Sequence, residues 1–233
     1  MTKTVHIDVV VDLACPWGFV AKKHLEKAME QRPDLDVVVR WRPFQINPEL
    51  AEFGMPYREY LLRKFGTMND VYDIRDHLFS VGSTLGIEFN FEKIERAPNT
   101  LLAHQLVRWA ARNGLESAMI DVIYSAYFNE GLNIGDKEVL IMLARRLGIP
   151  SRQTAEALDE GADRSMILKE TAAARAMGLS NVPAFFFNRK KLLCGASTPI
   201  ALLAIIENFS IERPVSKRDL AELFDVKSMV SQN

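Results

Sequence analysis

Five residues, Ala14-Cys15-Pro16-Trp17-Gly18, lie between a β-branched run, Val5 to Val11, and a helical stretch, Phe19 to Gln31. They constrain the fold more than any other part of the chain. Proline suits the first position of a helix, where its missing N–H would have had no intrahelical partner. The run therefore reads as a strand-to-helix turn with Cys15 at the N-cap and Pro16 just inside the helix. The positive end of a helix favours thiolate over thiol, so a cysteine held there is expected to ionise well below the usual value of about 8.5. The turn presents a nucleophile.

The strand-to-helix unit continues into Val37 to Phe44, a second β-branched and aromatic run, which predicts two parallel strands joined by a right-handed crossover. From about residue 56 to 177 the pattern is helical. Met55 to Phe65 reads as one helix, and Asn69 as the cap of a second that runs to Leu85. Leu101, Leu102, Leu106, Val107 and Trp109 recur at helical spacing before Asn113-Gly114. Leu115 to Phe128 follows, then Lys137 to Leu147 capped by Asp136, Ser151 to Leu158, and Ala162 to Met177. Strand character returns at Val182 to Phe187, and the polar turn Asn188-Arg189-Lys190 leads to Lys191-Leu192-Leu193-Cys194 as a hairpin. Ser197 or Thr198 then starts a helix that buries Ile200, Leu202, Leu203, Ile205 and Ile206. Beyond Pro214 the chain is polar, with a short amphipathic piece at Leu220 to Phe224.

The order is β-α-β, a long helical insert, then β-β-α. It predicts an α/β chain divided into residues 1–48, an insertion at 49–178, a return to the first unit at 179–212, and an extension at 213–233. At 233 residues the chain is long enough for a substantial core. A formal charge of -1 gives no electrostatic reason to expect nucleic acid or an anionic membrane as partner. The apolar stretches are too short to span a bilayer. The N-terminus lacks the apolar core of a signal peptide, so a cytoplasmic protein is expected. The two cysteines, Cys15 and Cys194, do not form the framework of a secreted disulfide domain. No His, Cys, Asp and Glu spacing suggests a metal site.

The Cys-Pro-Trp turn after a first strand resembles the redox site of DsbA-like thioredoxin-fold proteins, most closely the FrnE branch, whose members usually read Cys-Pro-Trp-Cys. Trp41-Arg42-Pro43-Phe44, Asn99-Thr100 with His104, and Val182-Pro183 followed by Gly195-Ala196 are similar to the corresponding stretches of FrnE-type proteins. The resemblance implies a thioredoxin fold interrupted by a helical insertion domain. It also implies a cis bond at Val182-Pro183, facing the redox turn and offering the Val182 backbone to an extended substrate or to glutathione.

This chain departs from the motif at Gly18, where a resolving cysteine is usual. A single thiol still forms a mixed disulfide, but a second thiol must resolve it. Glutathione is the expected co-substrate, with no tightly bound cofactor. The partners expected are therefore glutathione and a protein disulfide or small electrophile. The leading expectation is a thiol-disulfide oxidoreductase with Cys15, Pro16, Trp17 and Gly18 at its centre. Kappa-class glutathione transferases and 2-hydroxychromene-2-carboxylate isomerases resemble the chain in order and insert. They suggest an alternative: a glutathione-dependent transferase or isomerase, a homodimer like the kappa-class relatives, with Trp109 and Tyr127 in an aromatic pocket. Loss of catalysis, leaving a binding module, is the third reading.

Ser197 matches the region that holds the γ-glutamyl end of glutathione in the kappa-class relatives, and also reads as a plain helix cap. Asn99 and His104 are expected near the cleft above Cys15, with a structural histidine as the alternative for His104. Cys194 is assigned to packing, opposite Phe185 in the hairpin, with a resolving role as its alternative.

Overall fold

The computed structural model describes residues 3–211. Four strands form one sheet in the order β2-β1-β5-β6. Strand β1 (Val5–Val11) lies parallel to β2 (Val37–Pro43), Val5 opposite Val37 and Val11 opposite Pro43. The two are connected by α1 (Pro16–Glu30). On its other side β1 runs antiparallel to β5 (Ala184–Phe187), which forms a hairpin with β6 (Lys191–Cys194). Val5, Ile7, Val9 and Val11 alternate onto one buried face, as the period of a strand requires. The fold is the thioredoxin arrangement expected from the order of the elements.

Between β2 and β5 the chain runs through β3 (Met55–Pro56), α2 (Tyr57–Phe65), α3 (Met68–Leu85), a 3-10 turn at Phe91–Lys93, and β4 (Arg96–Ala97). It continues through α4 (Leu101–Ala111), α5 (Glu116–Phe128), α6 (Lys137–Arg146), α7 (Ser151–Glu160) and α8 (Arg164–Ala176), and α9 (Pro199–Ser210) closes the described chain. One apolar core joins the sheet, α1 and α9 to the insertion. Phe19 on α1 stacks on Tyr124 of α5, centroids 5.2 Å apart, and meets Phe89 edge-on.

Several local expectations are corrected. Met55 and Pro56 do not start a helix: they pair antiparallel with Ala97 and Arg96, so the insertion carries a two-stranded patch among its helices. Thr67, not Asn69, caps α3, its hydroxyl accepting from the Asp70 N–H. In α9 Thr198 is the cap, while Ile200 on the first turn is exposed. Asp136 caps α6 as its sequence position implies. The amphipathic piece at Leu220 to Phe224 lies outside the described residues.

Candidate active site

Cys15 is the N-cap residue of α1, with extended backbone, and Pro16 occupies the first helical turn. The buried Asp12 builds the turn ahead of it. Its carboxylate accepts from the Ala14 and Ile46 N–H groups at 3.1 and 2.6 Å, and its carbonyl accepts from the Cys15 N–H at 3.0 Å. One side chain thus shapes the turn and ties it to the loop after β2.

The Cys15 thiol donates to the carbonyl of Val182 across 3.5 Å. The Val182–Pro183 peptide bond that follows is cis. Pro183 in turn accepts from the Gly195 N–H at 2.8 Å, so the end of β6 is tied to the proline. Cys15, Val182, Val10, Phe44 and Ala184 share a small apolar cluster, closed by the partly buried Trp17, Ile46 and Phe186. Trp17 also reaches the insertion, its ring 5.3 Å from that of His77 on α3.

This enclosure overturns the expected ionisation. Cys15 retains 6% of its exposure, and burial pushes its thiol up to about 11. The Gly18 and Trp17 N–H groups and the charge of Lys64 on α2 pull the other way without winning. The free protein therefore holds a protonated thiol, because removing a thiolate from water costs more than these donors return. Lys64 had no motif to announce it: α2 brings its charge towards the sulfur.

Gly18 is buried in the first turn of α1. A Cβ placed there would lie 2.3 Å from the Tyr124 hydroxyl. That hydroxyl donates to the Asp12 carbonyl at 3.3 Å, the same oxygen that accepts from the Cys15 N–H. Tyr124 carries no sequence signal of this role, since its apolar spacing in α5 marks only a core position.

The other candidates hold loops. Asn99 donates to the Leu50 carbonyl, and its Oδ1 accepts from Leu101 and from Gln45 Nε2. His104 is buried, bonds through Nε2 to the Phe44 carbonyl at 3.3 Å, and is pushed by burial towards the neutral form. Both therefore brace residues 44–50, whose Phe44 packs near Cys15. Ser197 follows β6 and is half-buried, with its carbonyl accepting from His24 Nδ1 at 2.9 Å. His24 lies on α1 and also contacts the Ala196 carbonyl, so the segment is fastened to the helix that carries Cys15.

Cys194 is not a packing residue. It pairs with Ala184, one place from the expected register, and is exposed. The aromatic pocket is corrected too: Tyr127 is buried in the core with its hydroxyl on the Arg96 carbonyl, and Trp109 packs against the same core. Two surface recesses, one along α8 at Ser165 to Ala173 and one beside Thr4, Arg40 and Arg189, do not include Cys15. Among the described residues no group of three or more His, Cys, Asp or Glu is arranged to hold a metal ion. No helix there is long and apolar enough to cross a membrane.

A DSBA-like thioredoxin domain model matches residues 6–207. The chain belongs to that family. A curated relative, the uncharacterized protein YwbO of Bacillus subtilis, is 29% identical over 160 residues, 67% of this chain and 72% of YwbO. The probable DsbA oxidoreductase SCO1869 of Streptomyces coelicolor is 24% identical with a TM-score of 0.82, covering 91% of this chain and 93% of its own. A 2-hydroxychromene-2-carboxylate isomerase matches at 14% identity and a TM-score of 0.68, over 94% and 100% of the two chains. The cytosolic disulfide reductase DsbM of Pseudomonas aeruginosa, in a structure with GSH, matches at 22% and 0.58, over 88% and 98%. At these identities the solved structures share the fold of this DSBA-like chain.

Proposed function

We propose that this DSBA-like protein is a thiol-disulfide oxidoreductase that works through Cys15 alone, with glutathione as the resolving thiol, in a reducing compartment such as the cytoplasm. The observation that carries the reading is the placing of the Cys15 sulfur: at the N-terminus of α1, 3.5 Å from the carbonyl that precedes the cis proline, with glycine at position 18. The glutathione complex of the DsbM neighbour supports the choice of thiol.

The resting thiol directs its proton at the Val182 carbonyl. A substrate chain that docks alongside and donates its own N–H to that carbonyl takes this acceptor away. The sulfur then faces the Gly18 and Trp17 N–H groups, which favour the thiolate. The Cys15 thiolate attacks one sulfur of the disulfide, forms a mixed disulfide and expels the other half as thiolate, which takes up the released proton. A glutathione thiolate next attacks the substrate sulfur of that bond. It forms the glutathione–substrate disulfide, and the electron pair returns to Cys15.

Intact mass and peptide mapping after incubation with oxidised glutathione test this reading. One glutathione on Cys15 is expected, lost in Cys15→Ser and kept in Cys194→Ser. Unchanged thiol-disulfide exchange in Cys15→Ser sinks it. The transferase or isomerase reading loses support with its aromatic pocket, since Tyr127 is committed to the core.

A further inference from the structure

We propose that Tyr124 decides that this is a one-thiol site: its hydroxyl occupies the place that a second thiol would take at position 18, so a mixed disulfide on Cys15 is resolved from outside the chain. The inference deepens the thiol-exchange reading above and rests on it for its chemical consequence. Its steric basis is independent of that reading.

Positions three apart on a helix are neighbours, so residue 18 is where a second thiol would reach the Cys15 sulfur. The space is taken. A Cβ at Gly18 would stand 2.3 Å from the Tyr124 hydroxyl oxygen and 3.2 Å from Cζ, with the Asp12 carbonyl oxygen at 3.4 Å. The first distance is far inside contact, and the oxygen has little freedom to retreat. It ends a rigid ring that is wholly buried and packed in a triangle with Phe19 and Phe128, centroids 5.2 and 6.1 Å away. It is also hydrogen-bonded to the Asp12 carbonyl, in a turn that the Asp12 carboxylate fixes from both sides. Helix α5 of the insertion thus reaches into the first turn of α1.

With a cysteine in that seat, its thiolate would attack the Cys15 sulfur of a mixed disulfide. A bond between that sulfur and the thiol at position 18 would form, and the substrate thiolate would leave with the bonding pair. An attacking group held in the same turn has an effective concentration far above that of a free thiol. With Tyr124 in the seat this route is closed, and an external thiolate resolves the bond from the other side: it attacks the substrate sulfur and the bonding pair returns to Cys15.

The test uses the full chain carrying Cys194→Ser, in four forms: otherwise unchanged, Gly18→Cys, Tyr124→Phe, and the last two combined. Each is treated with oxidised glutathione and read by intact mass and peptide mapping. The combined variant is expected to release glutathione and gain an internal bridge from Cys15 to the thiol introduced at position 18, because loss of the hydroxyl leaves only the 3.2 Å ring contact to be relieved by a small shift. Gly18→Cys alone is expected to keep glutathione on Cys15. A bridge forming as readily in Gly18→Cys alone as in the combined variant overturns the proposal.

A second measurement needs no thiol chemistry. Gly18→Ala is expected to lower the thermal midpoint by about 3–10 °C through overpacking, and Tyr124→Phe to recover most of that loss. Additive effects of the two substitutions overturn the seat. If the unchanged protein takes no glutathione, the exchange reading fails, and this alanine–phenylalanine cycle alone decides whether Tyr124 fills the place.

Discussion

At the scale of single residues, the site is governed by a burial that its motif does not reveal. The position of Cys15 at a helix start is legible from Pro16, yet its protonation is set by burial, with Val182 and Phe44 from distant segments closing over it beside the motif's own Trp17. With the thiol pushed up to about 11 from an ordinary value of 9.0, its reaction with iodoacetamide at neutral pH is expected to be about 100-fold slower than that of a free thiol, a factor of ten per pKa unit. The rate should still be rising with pH above 9. A plateau near pH 7 would contradict it. The same burial has a thermodynamic side. The folded state holds this proton more tightly than the unfolded chain, so the stabilisation is fully present below about pH 9 and is lost as pH rises towards 11. Cys15→Ala should therefore flatten the alkaline fall in the unfolding free energy from urea titration between those two values, by roughly 2–3 kcal/mol.

Among the elements, what was legible depended on length. Strand β1, α1 and β2 each repeat a hydrophobic pattern over several residues and announce themselves. The two-residue strands at Met55–Pro56 and Arg96–Ala97 have no period to read. The hairpin register differs by one place because the turn is centred on Arg189, with Asn188 and Arg189 both at positive φ. A slip of one residue turns every side chain to the other face, which is why the sequence pattern puts Cys194 in the core and the fold puts it outside. The turn before α1 yields a prediction at this scale. Asp12→Ala leaves the Ala14 and Ile46 N–H groups without their carboxylate partner in a buried setting, at a cost of about 1–3 kcal/mol. A thermal midpoint within about 1 °C of the parent, where 2–4 °C per kcal/mol is ordinary for a chain of this size, would show that the carboxylate does not hold the turn.

Over the whole molecule, the order of elements was readable because the strand–helix–strand start and the hairpin–helix end bracket a long, predominantly helical stretch. How the insertion seats on the sheet was not, since that depends on which faces of α1 and α5 meet. Two contacts define the meeting. Lys22 of α1 has its side chain fully buried and is paired with Asp121 of α5 at 2.7 Å and with Glu26. Asp121 also receives Lys23 at 3.0 Å. Removing one carboxylate strands part of that buried charge, so Asp121→Ala is expected to destabilise by about 1–3 kcal/mol, less than a fully buried pair because Glu26 remains and Asp121 is partly exposed. Lys22→Met should be nearly neutral in the same urea titration. Equal losses in both variants would count against this account. The second contact, Tyr124 over Gly18, bears on how such a protein changes over generations. Shrinking residue 124 first leaves a cavity that a core can tolerate, whereas adding a thiol at residue 18 first drives a side chain into the phenol. The paths between one-thiol and two-thiol chemistry are therefore unequal, and the passable one begins in the insertion, away from the motif whose chemistry it alters.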